Sequence, residues 1–274
     1  MAIIDYLAVG HITQDVIDGG YVTGGTVAYA GRLASLLGCQ TAVLSSAAPD
    51  FDWKAALPEI EVRAIPAAET TTFQNIYTEN GRIQYLHRRA RVITADLIPD
   101  DWRRPAIVHL APLANEVEPA VVNLFNQSVV GVTAQGWLRS WDENGRVYPY
   151  DWPHAAAVLP YTSALVLSSE DLPDQSLLTT YRQLAPLVVM TQGADGCTVF
   201  MGVDSRQVPA PAVAEVEATG AGDIFAAAFF VRLHQTNGNP WEAARFANEL
   251  AAISVTQRGL AAKIEAIRVA LGDT

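Results

Sequence analysis

The sequence predicts an α/β fold in which helices flank both faces of a central, mostly parallel sheet. Two observations support this prediction. Of the 274 residues, 50% are hydrophobic, so the chain can bury one large core. Apolar strands also alternate with helices: Ala106 to Pro112 is predicted as a strand, Val117 to Phe125 as a helix and Val129 to Thr133 as the next strand. We expect residues 1–274 to form a single domain.

The first strand is predicted at Tyr6 to Gly10. After the pair Gly24-Gly25, the apolar spacing becomes helical from about Val27, and Gly38 is a typical helix stop. Thr41 to Ser46 is predicted as the second strand. These elements begin the alternation that continues through the rest of the chain.

Three further segments alternate apolar and polar residues, as strands with one exposed face do. They are Glu61 to Ile65, Thr70 to Tyr77 and Gly81 to His87. Between the last two, Glu79-Asn80-Gly81 predicts a hairpin turn. We interpret the arginines of this region as solvated charges rather than as a phosphate-binding cluster; they are Arg82, Arg88, Arg89 and Arg91.

In the second half of the chain, Ala164 to Ser168 is predicted as a buried strand. Leu187 to Phe200 reads as two strands joined by a Gly-rich hairpin turn. Trp241 to Thr256 is predicted as a helix that ends before Gly259. This half therefore continues the pattern of an α/β protein.

The charge balance excludes several classes of function. A net charge of −11 and a pI near 4.8 argue against nucleic-acid or anionic-membrane partners. Lys54 and Lys263 are the only lysines, and neither lies in a Gly-rich loop, which excludes a Walker A motif. Phosphate would therefore be bound by backbone amides and arginines.

The histidines show no metal-ligand spacing, and Cys39 and Cys197 are expected to be reduced core residues.

The N-terminus shows no basic segment followed by a long apolar run, so we expect no secretory signal. The longest apolar run, Ile224 to Val231, is too short to span a bilayer. We expect a soluble, cytoplasmic protein.

The segment from Thr219 to Asp223 reads Thr-Gly-Ala-Gly-Asp and immediately precedes the apolar helix that starts near Ile224. The glycines allow a tight turn, and the free N–H groups of a first helical turn can hold a phosphate group. The helix dipole favours the ionised form of Asp223, which could then accept a proton. A base beside a phosphate site suggests phosphoryl transfer to a hydroxyl. The alternative is a simple strand-to-helix turn capped by Asp223.

This segment resembles the C-terminal signature of the ribokinase-like (PfkB) carbohydrate kinases. The resemblance implies that Asp223 is the catalytic base and that Gly220, Ala221 and Gly222 form the anion hole. Many family members carry Asp where this chain has Glu217. The resemblance also implies the ribokinase-like fold, with a small β-sheet lid built from about residues 13–23 and 65–94, which would exclude water from the reaction.

The segment from Gly24-Gly25 to Leu37-Gly38 is similar to the N-terminal signature of the same family. The resemblance implies that Gly24 and Gly25 form a hinge at the substrate and that Asp15 contacts substrate hydroxyls. Tyr29 stands where sugar kinases of the family typically have Asn, which argues against ribose or fructose as the substrate. Further substrate-binding candidates follow Thr133, which replaces a family Asp; they are Gln135 and Arg139.

Ser168 and Asp171 occupy the spacing of the Asn-x-x-Glu motif of the family, which implies that Asp171 binds magnesium through water. The alternative is a helix N-cap by Ser168 with acidic residues in the first turn. The resemblance places the nucleotide beside the Gly-rich hairpin and near one helical position. Its implied contacts are Thr191, Gly193, Gly196 and Asn248.

Taken as a family member, the chain is expected to be an ATP-dependent kinase of a small sugar or polyol, and it is most similar to inositol-kinase-like members. Mg²⁺ and ATP are the implied cofactors, with a monovalent cation as a further candidate, and a homodimer is an open alternative to a monomer. Two other functions remain open. A nucleoside kinase would use Tyr29, Phe73 and Tyr77 as an aromatic acceptor pocket. A catalytically inactive nucleotide- or sugar-binding protein would account for the altered motifs.

Overall fold

A large, mostly parallel sheet forms the centre of the structure, a computed structural model that describes residues 4–79 and 81–272. Neighbouring strands in this sheet are parallel, except that the two strands at one edge, Cys197–Met201 and Asp204–Val208, are antiparallel. The order of the nine strands found in the described residues is β15 (Asp204–Val208), β14 (Cys197–Met201), β13 (Leu187–Thr191), β12 (Ala164–Ser168), β9 (Val129–Thr133), β8 (Ile107–Leu110), β1 (Tyr6–Val9), β4 (Thr41–Ala47) and β5 (Glu61–Pro66).

Helices cover both faces of this sheet because its strands are apolar on both sides. In β1, Tyr6 and Ala8 pack into one core, and Leu7 and Val9 pack into the other. The first core is covered by α1 (Thr26–Leu36), α5 (Ala221–Gln235), α6 (Pro240–Val255) and α7 (Leu260–Ala270). The second is covered by α3 (Ala155–Val158), α4 (Ser176–Leu184) and several 3₁₀ turns, while α2 (Trp53–Ala56) is a single turn between β4 and β5.

A separate four-stranded sheet lies at the carboxyl end of β1. Its order is β3 (Gly20–Gly24), β2 (Thr13–Ile17), β6 (Thr71–Thr78) and β7 (Gly81–Arg88). The predicted hairpin between β6 and β7 is confirmed by their antiparallel pairing, which closes at Thr78 and Gly81. Asn80 of the predicted turn lies outside the described residues. A short hairpin of β10 (Arg139–Trp141) and β11 (Val147–Pro149) was not predicted.

One prediction about local structure is wrong. The segment Val117 to Phe125 is not an α-helix: Val117 pairs with Ile93, and a 3₁₀ helix follows over Pro119–Leu124. Its backbone bonds span three residues, as from the Val121 N–H to the Glu118 carbonyl, and Pro119 in its first turn fixes the entry. The alternative of a helix N-cap at Ser168 is excluded, because α4 starts only at Ser176.

The segment Glu61 to Ile65 forms β5 at the edge of the large sheet and does not join the small one. Its exposed face explains the alternating pattern, since an edge strand can leave one side in water. Within residues 4–79 and 81–272, no helix combines the length and the apolar character needed to cross a membrane.

Candidate active site

The start of α5 forms the centre of the candidate site. Gly220 precedes the helix with a φ of 79°, a left-handed conformation that favours glycine. A Cβ atom at Gly220 would lie 2.2 Å from Cε1 of Tyr29, so the tyrosine ring packs directly on this glycine. The helix then begins with a bond from the Ile224 N–H to the Gly220 carbonyl at 2.9 Å.

The N–H groups at this helix start are not all free. The Ala221 N–H donates to the Ala218 carbonyl at 3.0 Å, so this member of the predicted anion hole is occupied within the turn. In the part of the chain that the structure describes, the N–H groups of Gly220, Gly222 and Asp223 have no hydrogen-bond acceptor. Unpartnered N–H groups at the positive end of a helix dipole form an anion-binding site.

Asp223 lies in the first turn of α5, and its side chain faces α1 rather than the hydrophobic core. The Thr26 hydroxyl donates a hydrogen bond of 2.7 Å to Asp223 Oδ1. Burial raises the pKa of Asp223 to about 6, although the Thr26 hydrogen bond and the charge of Arg139 both act to lower it. The carboxylate is therefore a stronger base than an exposed aspartate and is still ionised at neutral pH.

Asp15 belongs to the same site. It lies on β2, opposite Val22 of β3, and burial raises its pKa to about 6 as well. A Cβ atom at Gly24 would lie 2.7 Å from Asp15 Oδ2, so the bare backbone of Gly24 leaves room for this carboxylate. Gly25 has a φ of 94°, and a Cβ atom there would meet the His11 carbonyl at 2.7 Å. Gly25 is therefore required by close backbone contacts and its positive φ, whereas the neighbours of Gly24 are side-chain atoms that can move.

Arg139 brings a positive charge to these carboxylates. Its side chain is buried against Phe73, with Cζ 6.0 Å from the ring centroid. Burial lowers the pKa of Arg139 to about 10, whereas the charges of Asp171 and Asp223 raise it. In residues 4–79 and 81–272, its guanidinium donates to no protein acceptor, which leaves it available to an anionic or hydroxyl-bearing ligand.

Asp171 and Gln135 complete the group. The Gln135 amide donates to Asp171 Oδ1 at 3.3 Å, so the two side chains lie together after β12 and β9. Ser168 does not share this position; its hydroxyl accepts from the Glu170 N–H at 3.2 Å in a local turn. Of the two motif residues Ser168 and Asp171, only Asp171 therefore reaches the site.

Comparisons with known proteins show which family this chain belongs to. The family model described as pfkB family carbohydrate kinase matches residues 164–267. An inositol 3-kinase of Oryza sativa subsp. japonica is 30% identical, over 94% of this chain and 70% of the rice protein. That identity over most of both chains decides the family. The chain belongs to the pfkB family of carbohydrate kinases.

Solved structures show that this pfkB kinase has the ribokinase fold. A pyrophosphate-dependent kinase of the ribokinase family, complexed with a pyrophosphate analog and myo-inositol, superimposes with a TM-score of 0.81 at 22% identity, covering 96% of this chain and 99% of that one. A double mutant of Vibrio cholerae O395 fructokinase in its fructose-, ADP- and potassium-bound form gives 0.71 at 18% identity and covers 96% of both chains. The predicted family, fold class and enzyme class are confirmed.

The predicted nucleotide contacts of the pfkB kinase fall into two groups. Thr191 ends β13 beside Ser168, and Gly193 and Gly196 form the following turn with φ values of 57° and 89°. Asn248 is different: it is buried in α6, and its amide donates to the Val208 carbonyl at 2.9 Å. Asn248 therefore holds the end of β15 to α6, and that donor is already engaged.

Sequence reasoning missed Thr26 and did not reveal the contact that Tyr29 makes with Gly220. Thr26 contacts the catalytic candidate, yet a threonine at the start of a helix is common and carries no signal without the fold. Tyr29, predicted to bind substrate, is only 5% exposed and packs on Gly220 at the anion hole. The only sequence signal was that Tyr29 stands where the family typically has Asn; nothing in the sequence linked it to Gly220.

Proposed function

We propose that this pfkB kinase transfers the γ-phosphoryl group of ATP to a hydroxyl group of a small polyol, with an inositol as the favoured acceptor. The observation that carries the proposal is the position of Asp223. Its carboxylate is held by Thr26 at a helix start whose free N–H groups suit a phosphoryl group, and it interacts with the charges of Asp15 and Arg139.

In this proposal Asp223 takes the proton of the acceptor hydroxyl as the oxygen attacks phosphorus. The free N–H groups of Gly220, Gly222 and Asp223 stabilise the charge on the phosphoryl oxygens, which corresponds to the predicted anion hole without the Ala221 N–H. Asp15 accepts hydrogen bonds from acceptor hydroxyls, and Gly24 and Gly25 allow the close packing that positions its carboxylate. Arg139 neutralises the negative charge that gathers in the site.

The residues present fit a magnesium-bound phosphate donor. Within the described residues, no group of three or more His, Cys, Asp and Glu side chains is arranged to hold a metal. Mg²⁺ needs no such cage, because it commonly binds through one carboxylate together with substrate phosphates and water. Asp171 would supply that carboxylate, and the ion would neutralise phosphate charge. Thr191, Gly193 and Gly196 would lie along the donor.

The acceptor is inferred from the relatives and from the charged side chains of the candidate site. Two curated relatives are named inositol 3-kinase, and one similar structure contains myo-inositol. The pair of carboxylates and Arg139 suits a ligand with many hydroxyl groups. The alternative function as a nucleoside kinase is less well supported, because the ring of Tyr29 is packed on Gly220 and not left open to line an acceptor pocket. A non-catalytic binding protein remains the contrasting outcome of the test.

We also propose that the four-stranded sheet acts as the lid of a single domain. Asp15 of β2 and Phe73 of β6 both reach the site from this sheet. Closing it over the acceptor would exclude water, which would otherwise compete for the phosphoryl group.

The test measures phosphate transfer with purified protein, Mg²⁺ and either ATP or pyrophosphate as donor. The acceptor panel contains myo-inositol, ribose, fructose and adenosine, with Asp223→Asn as the inactive control. We expect ATP and myo-inositol to give the highest kcat/KM. Pyrophosphate as the better donor would correct the donor assignment, and adenosine as the better acceptor would favour the nucleoside kinase. Tight ATP binding without transfer to any acceptor would support the non-catalytic alternative.

A further inference from the structure

Lys263 is a buried cation that the proposed reaction does not use. It lies on α7, and its side chain has a relative exposure of 0%. The only other lysine of the chain, Lys54, is exposed on α2. A lysine is almost never fully buried unless its ammonium group is paired, because removing the charge from water costs free energy. The partners of Lys263 therefore indicate its role.

The ammonium group has three oxygen partners, which matches its three N–H donors. It donates to the carbonyl of Glu217 at 2.5 Å and to the carbonyl of Ser254 at 3.1 Å. Its third partner is Glu217 Oε2 at 3.5 Å. Burial lowers the pKa of Lys263, and the charge and hydrogen bonding of Glu217 act in the opposite direction. The lysine is thus held in a small cage of oxygen atoms.

This cage ties two helices, α6 and α7, to the segment that enters the active site. The Gly259 N–H, at the start of α7, donates to Glu217 Oε2 at 2.8 Å. Near the end of α6, the Val255 carbonyl accepts from the N–H groups of Val216 and Glu217. Three residues beyond Glu217, the chain reaches Gly220 and the free N–H groups of α5. A shift of Glu217 would therefore move the anion-binding groups.

Two carbonyls and a carboxylate are also the kind of ligand set that holds an alkali cation, because oxygen atoms of this kind replace its hydration shell. In this protein the ammonium group already fills the cage. The monovalent cation considered from the family resemblance would have to displace a buried lysine to bind here. The residues therefore do not fit a bound alkali ion at this position.

We propose that Lys263 is a built-in cation that positions the anion hole, so that the kinase needs no dissolved monovalent cation at this site. The inference rests on the proposed function of the helix start as an anion hole. It makes Lys263 a positioning residue, acting through the Glu217 backbone rather than on the reacting atoms.

The first test replaces Lys263 with Ala, which removes the charge and leaves space for a small ion. We expect kcat to fall by about tenfold or more with the acceptor KM nearly unchanged, because anion-hole interactions act in the transition state. Added KCl or NH₄Cl should restore several-fold activity, whereas tetramethylammonium chloride at the same ionic strength should not. Lys54→Ala, the matched control on an exposed lysine, should behave as the wild type. Wild-type activity in Lys263→Ala, or loss without rescue by any small cation, overturns the proposal.

Two further measurements do not depend on this variant being active. Wild-type turnover should be equal in KCl, NaCl and tetramethylammonium chloride, and a specific requirement for K⁺ would contradict a built-in cation. This measurement decides the matter if Lys263→Ala does not fold. In thermal unfolding, KCl or NH₄Cl should raise the Tm of Lys263→Ala but not that of the wild type. The Tm comparison stands even if the wild type phosphorylates none of the tested acceptors, which separates this inference from the proposed function.

Discussion

At the level of single residues, the main feature of this kinase is a pair of carboxyl groups with raised pKa values. Burial raises the pKa of both Asp15 and Asp223 to about 6. A base is most useful when its pKa lies near the working pH, because it is then ionised and still accepts a proton readily. The same burial makes the ionised carboxylates unfavourable for folding, so function and stability are opposed at these positions.

Replacing Asp223 with Asn separates these two effects. We expect kcat to fall by about a hundredfold or more, since the variant cannot accept a proton. A folded-state pKa above the unfolded value means that stability falls as pH rises from about 4 through 6. The uncharged variant avoids this loss and should be more stable at pH 7.5 by about 1–3 kcal/mol. Chemical denaturation and steady-state kinetics on the same preparation measure both values, and a less stable variant would contradict the burial argument.

The hydrogen bond from Thr26 lowers the pKa of Asp223, the proposed base. This bond favours the ionised form, so Thr26→Val should raise the pKa that limits kcat/KM by about one unit. The acid limb of the pH profile would then move to higher pH. Thr26→Ser keeps the hydroxyl group and should retain the wild-type profile. Identical profiles for all three proteins would show that Thr26 does not act on Asp223 in solution.

The start of α5 depends on a contact between two helices. Gly220 has a positive φ, and the ring of Tyr29 in α1 occupies the space that a side chain would need. The neighbouring Gly222 differs, because its φ is not positive and a Cβ atom there would meet nothing within 4 Å. The two glycines of one motif thus meet different physical requirements.

Alanine substitutions test this difference. Gly220→Ala should lower the free energy of unfolding by about 2–4 kcal/mol, through backbone strain and overlap with the Tyr29 ring. Gly222→Ala should change it by no more than about 1 kcal/mol, since alanine favours the helix. Thermal and urea unfolding of the two variants provide the comparison. Equal stabilities would mean that the ring of Tyr29 can move away from Gly220.

For the molecule as a whole, the relation between the large sheet and the four-stranded sheet matters most. Asp223 lies on a helix that packs on the large sheet, and Arg139 lies on the chain segment that follows β9. Asp15 and Phe73, by contrast, come from the four-stranded sheet. The acceptor would therefore bind between them and stabilise the closed arrangement.

Hydrogen exchange can detect this closure. Adding myo-inositol with ADP and Mg²⁺ should slow the exchange of amides in β2, β3 and β6, because bound ligand opposes local opening. Strands β4 and β13, each paired with a neighbour on both sides in the large sheet, provide internal controls. Unchanged exchange in the small sheet under saturating ligand would argue against its role as a lid.

The local patterns of the chain predicted most of the architecture. Apolar runs such as Leu187 to Thr191 form strands because a parallel sheet buries both of their faces. The Gly-Ala-Gly-Asp motif was recognisable by its resemblance to the family signature, and the positive φ of Gly220 gives the physical reason for its first glycine. By contrast, the edge position of β5 and the 3₁₀ form of Pro119–Leu124 depend on packing partners that local spacing does not reveal.

By itself, the sequence determined the family, the α/β fold and the motif that carries Asp223, because these depend on neighbouring residues and on backbone requirements. Only the tertiary structure decided which side chains meet there. Thr26 lies 197 positions from Asp223, and Lys263 lies 46 positions from Glu217. The tertiary structure also showed that the Asn248 side chain donates a hydrogen bond to the end of β15, 40 positions away. Such contacts arise where helices from distant parts of the chain pack on one sheet, so no local pattern records them.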